Sequence, residues 1–259
     1  LILKTTNRAR GIDVSGNVAL ENRHRGERCF VMGNGPSLGQ QDLTPLANEI
    51  TIGANSFYKH RDSEAVNLRY LCVGDASFME DRPEAGEWHR ILDRQHPRAE
   101  YLFPPDARHS IEKHDLYAGR TLRWFQRGVP TDRVDMVHCD LTLPLNTGMN
   151  TGTLLSIPLA IYMGCTEIYL LGFDCIWLDD YTGSYHFYDE HAQFPEFDSL
   201  AADDRWPRYE DQLVIAQRDF EGHRLLAQYA RQNGIEIVNA TGGWRRDTYP
   251  RTSYAKLFP

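Results

Sequence analysis

An uninterrupted β-prone run, Arg28-Cys-Phe-Val-Met32, passes directly into Gly33-Asn-Gly-Pro-Ser37, an order of residues that suits a strand closing in a tight turn. Two glycines at the end of a strand allow another group to come close to the backbone, and N–H groups left unpaired there can point at a phosphate. The turn lacks the third glycine of a dinucleotide fingerprint and the Lys-Ser/Thr pair of a P-loop. By itself it indicates only a strand-end turn that tolerates a ligand.

Other strand ends repeat the arrangement. The runs 49–54 and 69–73 stop at Asn55-Ser56 and Gly74-Asp75, and 167–171 stops at Gly172-Phe173-Asp174. Apolar runs that end in small polar residues are how an open parallel sheet presents its ligand groups. The expected fold is therefore α/β, a Rossmann-like and mostly parallel sheet with helices on both faces and a lid insertion.

Asn150-Thr-Gly-Thr153 opens a helix expected to run to Met163 and close at Gly164, with a kink at Pro158. A helix start with free N–H groups and two hydroxyls is an anion site on physical grounds. Other helices are expected over 77–96, broken near Pro83, and over 209–233, capped by Gly234, with further strands at 101–103, 133–137 and 235–238. Residues 1–27 read as an N-terminal arm and 28–259 as one nucleotide-binding domain. The lid falls at about 175–207, because roughly thirty residues without periodicity are usually functional.

The net charge of −8 argues against general nucleic-acid binding. No apolar run reaches the length of a bilayer span; the longest, 154–163, is interrupted by Ser156 and Pro158. Five scattered cysteines match neither a zinc motif nor a disulfide framework, which points to reduced thiols in a cytoplasmic protein.

The combined set Gly33, Asn34, Gly35, Ser37, Asn55, Asp75, Thr151, Gly152, Thr153 and Asp174 reads as a nucleotide pocket. Asp174 is suited to accept from ribose hydroxyls or to bind a metal. In the lid, His186 and His191 are the general-base candidates, since histidine titrates near neutrality. Tyr181, Tyr185 and Tyr188 are suited to donate to a departing phosphate or to stack on a sugar or base. The lid acids read as solvated surface, and no resident metal is expected.

The blocks Cys29-Phe-Val-Met-Gly-Asn-Gly-Pro-Ser-Leu38 and Met163-Gly-Cys-Thr-Glu-Ile-Tyr-Leu-Leu-Gly-Phe-Asp174 resemble the bacterial sialyltransferases of the Campylobacter type. They are also similar to the proteins related to the archaeal 6-hydroxymethylpterin diphosphokinase, as is the tail Asn239-Ala-Thr-Gly-Gly-Trp244. The first resemblance implies metal-independent, inverting transfer of a sugar, sialic-acid-like, from a nucleotide-sugar to a cell-surface glycan. CMP-linked donors stand first. It also implies a homo-oligomer and peripheral membrane association through the acceptor.

Carried over, Gly33, Asn34, Gly35 and Ser37 cradle the nucleotide phosphate and Asn55 holds phosphate or ribose. Thr151 and Thr153 line the pocket, Asp174 sits by the ribose, and His186 takes the acceptor proton. Ile176 stands where that family has a tyrosine, and Met149 where it has an arginine. The second resemblance implies an ATP- and Mg-dependent diphosphokinase acting on a pterin-like alcohol, with Asp75 and Asp174 on the metal. A nucleotide-binding regulator without catalysis is the third reading.

Overall fold

A computed structural model describes residues 12–74, 83–147, 152–175, 186–188, 209–242 and 247–258. Its centre is a seven-stranded sheet made of β1 (Arg28–Met32), β2 (Ile50–Ala54), β3 (Tyr70–Cys72), β4 (Glu100–Phe103), β5 (Leu122–Trp124), β6 (Glu167–Leu171) and β7 (Glu236–Asn239). The spatial order is β5-β4-β3-β2-β1-β6-β7, and every neighbouring pair is parallel. After β5 the chain returns across the sheet to place β6 on the far side of β1. The strand order therefore reverses between β1 and β6, where open α/β sheets bind ligands at the carboxyl ends of their strands.

Among the described residues the α-helices are α1 (Pro83–Gln95), α2 (Arg108–Lys113), α3 (Gly152–Tyr162) and α4 (Tyr209–Gln232). Alternation along β1 divides the core between the two faces. Cys29 and Val31 pack with the apolar residues of α3 and α4, while Phe30 and Met32 pack with Leu38, Leu46, Phe57 and the α1 residues Trp88 and Leu92. Both faces of β1 are covered, which is why it reads as a continuous apolar run rather than an alternating one.

Several sequence expectations shift. Pro83 starts α1 instead of breaking it, since the first helical position needs no N–H and suits a fixed φ. The stretch 133–137 holds a 3₁₀ turn, Val134–Met136, and no strand, while α2 and β5 lie between 103 and 133. Gly164 and Gly234 do close α3 and α4, with φ of 83° and 70°.

The described part of the segment read as an arm, residues 12–27, is built into the domain. Leu20 is fully buried, and the Asn17 side chain donates to the carbonyls of Trp124 and Leu141 at 2.7 and 2.8 Å. The N–H groups of Asn22, His24 and Gly26 donate to the carbonyls of Tyr162, Met163 and Gly164. The carbonyls that the end of α3 leaves unpaired are thus satisfied by this segment.

Candidate nucleotide site at the strand-order reversal

The glycine turn following β1 is held from inside. Gly33 N–H donates to the Leu171 carbonyl at 2.8 Å, Gly35 N–H to Gly172 at 2.9 Å and Leu38 N–H to Gly35 at 3.1 Å. Ser37 donates twice to Asp174 Oδ2, from Oγ at 2.8 Å and from its N–H at 3.3 Å. A Cβ on Gly35 would stand 2.0 Å from that same carboxylate oxygen.

The backbone at Gly35, φ −63° and ψ 156°, is open to any residue, so space for Asp174 is what requires glycine there. The N–H groups of Gly33, Gly35 and Ser37, three of the four residues expected to cradle a phosphate, are engaged within the fold. Asp174 is almost fully buried, and burial raises its pKa, with the Ser37 bonds opposing the rise. A carboxylate at the reversal point suits a hydroxyl partner such as ribose better than a phosphate.

Asn34 is buried and donates through Nδ2 to the Ala54 carbonyl at 2.9 Å, which joins the turn to the end of β2. Its Oδ1 is buried without a hydrogen-bond partner among the described residues. A buried acceptor left unpaired costs about 1–3 kcal/mol, a cost that a bound donor group would relieve.

Asn55, in the left-handed region at φ 44°, accepts through Oδ1 from Gly74 N–H at 2.9 Å. A Cβ on Gly152 would lie 3.2 Å from both Asn55 side-chain heteroatoms, so α3 begins directly against this amide. The structure thus gathers Asn34, Asn55, Asp174 and the first residue of α3 at one edge. Asp75, Thr151, Tyr181, Tyr185 and His191 lie outside the described residues, and the Thr153 side chain is likewise undescribed.

His186 arrives at this edge through its neighbour. Phe187 N–H donates to the Asn34 carbonyl at 2.9 Å, and the His186 ring stacks on Tyr188 at 4.9 Å and 3°. Two supporting residues escape sequence reading. Thr241 Oγ1 accepts from Phe173 N–H at 2.9 Å and so fixes the residue before Asp174; Lys59 Nζ lies 4.3 Å from the centre of the Tyr188 ring. Thr241 belongs to the tail motif 239–244, which is a signal in the sequence, whereas Lys59 carries none.

Among the described residues no group of three or more His, Cys, Asp or Glu is placed to hold a metal. Cys29, Cys72, Cys139 and Cys165 are buried, and burial pushes the Cys72 thiol up to about 12, so it behaves as an inert packing group. No helix among the described residues is long and apolar enough to cross a membrane.

The sequence matches no protein-family model and no curated protein. Among solved structures, the fold is similar to that of the MAf glycosyltransferase from Magnetospirillum magneticum AMB-1, with a TM-score of 0.51 and 13% identity. The likeness covers 90% of this chain and 35% of that one, so the chain spans about a third of the structure it matches. At that identity the likeness establishes the Rossmann-like parallel α/β fold.

Proposed function

We propose that the protein is a glycosyltransferase that moves a sugar from a nucleotide-linked donor, CMP-linked first, to a glycan acceptor. The observation that carries the reading is the convergence of Asn34, Asn55 and Asp174 with the start of α3 at the reversal between β1 and β6, beside the segment that bears His186. Support from likeness is limited to fold, and the matched structure is itself described as a glycosyltransferase.

In this reading the Asp174 carboxylate accepts from a ribose hydroxyl, and the buried Asn34 Oδ1 receives a donor from the nucleotide. The positive end of α3 faces the phosphate. The acceptor hydroxyl loses its proton to the His186 imidazole as its oxygen bonds to the anomeric carbon. The bond from that carbon to the phosphate oxygen breaks, and the nucleotide leaves with the electron pair. The step draws on no metal, and the acceptor accounts for the expected membrane-peripheral partner.

A thermal-shift screen of CMP, CDP, UDP, GDP and ATP, with and without Mg²⁺, tests the assignment. A ligand at a hundred times its Kd stabilises the folded state by about 2.7 kcal/mol. CMP acting without Mg²⁺ is the expected result. Stabilisation by ATP with Mg²⁺ alone would move the assignment to a diphosphokinase.

A further inference from the structure

Three consecutive rings, His186-Phe187-Tyr188, divide in two directions. Phe187 turns inward and packs on the core cluster that includes Leu38 and Phe57, against the His60 ring at a centroid distance of 5.4 Å. Residues 186–188 form a bend that brings the two rings flanking Phe187 together. His186 and Tyr188 accordingly stack on each other, and Lys59 lies over the Tyr188 ring at a distance that gives a cation–π attraction.

Lys59 and His60 are adjacent at the end of the 3₁₀ turn Phe57–Lys59, whose Phe57 is fully buried. One anchored turn therefore supplies both the wall for Phe187 and the contact on Tyr188. Phe187 also meets the turn after β1, through its N–H bond to Asn34 and at Gly39, where a Cβ would stand 3.0 Å from Phe187 Cβ.

We propose that Phe187 is a positioning residue that seats His186 at the nucleotide edge, with Gly39 keeping the space the seat requires. The inference rests on the glycosyltransferase reading for its consequence, though not for its geometry. Fixing a general base matters because a displacement of about 1 Å costs on the order of 100-fold in rate.

The seat is tested with Phe187→Ala, with Phe187→Leu as the conservative variant, and with Gly39→Val, which crowds Phe187 without altering it. Two measurements are made on each. The first is the kcat and KM for CMP release from CMP-sialic acid, together with the Kd of CMP. The second is deuterium exchange at the histidine ring C2 position, read for each histidine by mass spectrometry.

Phe187→Ala and Gly39→Val are expected to lower kcat about 100-fold with the CMP Kd within threefold, and to quicken exchange at His186. Exchange at buried His96 and His89 should not change, and Phe187→Leu should recover most of the kcat. Wild-type exchange at His186 in both disruptive variants overturns the seat. So does a wild-type kcat in Phe187→Ala when His186→Ala is inactive. If wild-type protein neither binds CMP nor releases it, the CMP-linked assignment falls, and the exchange rates still decide the seat. Should Phe187→Ala fail to fold, Gly39→Val and Phe187→Leu carry the comparison.

Discussion

Replacing Gly35 with alanine isolates the contact on which the strand-order reversal depends. The dihedrals at Gly35 cost alanine nothing, and a Gly→Ala change in such a backbone normally stabilises by about 0.4–1 kcal/mol through the unfolded chain. Here the new Cβ lands 2.0 Å from Asp174 Oδ2 and 2.7 Å from the Gly172 carbonyl oxygen. The carboxylate must shift by roughly 1 Å to restore van der Waals contact, and its bonds from Ser37 stretch or break. Overpacking costs about 1–3 kcal/mol, and a hydrogen bond to a charged group contributes about 1.5–3 kcal/mol. These terms overlap, and a net loss of about 2–4 kcal/mol is expected, a fall in Tm of roughly 5–15 °C.

A double-mutant cycle with Asp174→Ala, measured by thermal and urea unfolding, locates the cause. Without the carboxylate two of the three nearest atoms are gone and the Gly172 oxygen remains, so Gly35→Ala should cost less by about 1–2 kcal/mol in that background. A Tm for Gly35→Ala equal to or above that of wild type would refute the argument. Additivity of the two changes within about 0.5 kcal/mol would refute it as well.

Two further predictions concern pH. Burial raises the Asp174 pKa in the folded state above its ordinary 3.8, so folding opposes ionisation, and the penalty is fully present above the folded pKa. Asp174→Asn should therefore raise Tm at pH 7, with the gain shrinking as pH falls toward 3.8 and CMP binding weakened; a gain that grows on acidification would contradict this. Burial pushes His96 down to about 4, and its Nε2 has no partner among the described residues. The unfolded chain takes up its proton near 6.5, so stability should decline as pH falls from 6.5 to 4, by on the order of 3 kcal/mol for this residue. His96→Gln should flatten that part of the calorimetric profile, and an unchanged slope would show that His96 does not cause it.

What the sequence makes legible follows from how local each cause is. β1 is readable because both of its faces are covered, and two covered faces force an apolar run such as Cys29-Phe-Val-Met32. The ends of α3 and α4 are readable because Gly164 and Gly234 take up positive φ within the turn they close. Residues 12–27 look detached because a lone apolar anchor, Leu20, a polar amide, Asn17, and backbone N–H groups join them to the domain, and none of these leaves a hydrophobic period. Lys59 is unreadable for a related reason, since its ring partner lies far along the chain in a stretch with no pattern of its own.

The glycine turn shows where local reasoning stops. Gly33-Asn-Gly-Pro-Ser37 announces that something comes close to the backbone, and it leaves open what comes close. The partner in the structure is a carboxylate whose residue lies 137 positions beyond Ser37. With Asp174 filling the space at Gly35, the N–H groups of the turn are spent within the fold, and in the proposed reading recognition falls to side chains at the same edge. Asn34 then has the decisive place. Its Nδ2 is spent on the neighbouring strand, its carbonyl holds Phe187, and its Oδ1 is buried without a partner among the described residues. One residue thereby joins the sheet to the segment that carries His186, so under the proposed function a donor group bound at Oδ1 and the position of His186 are mechanically connected.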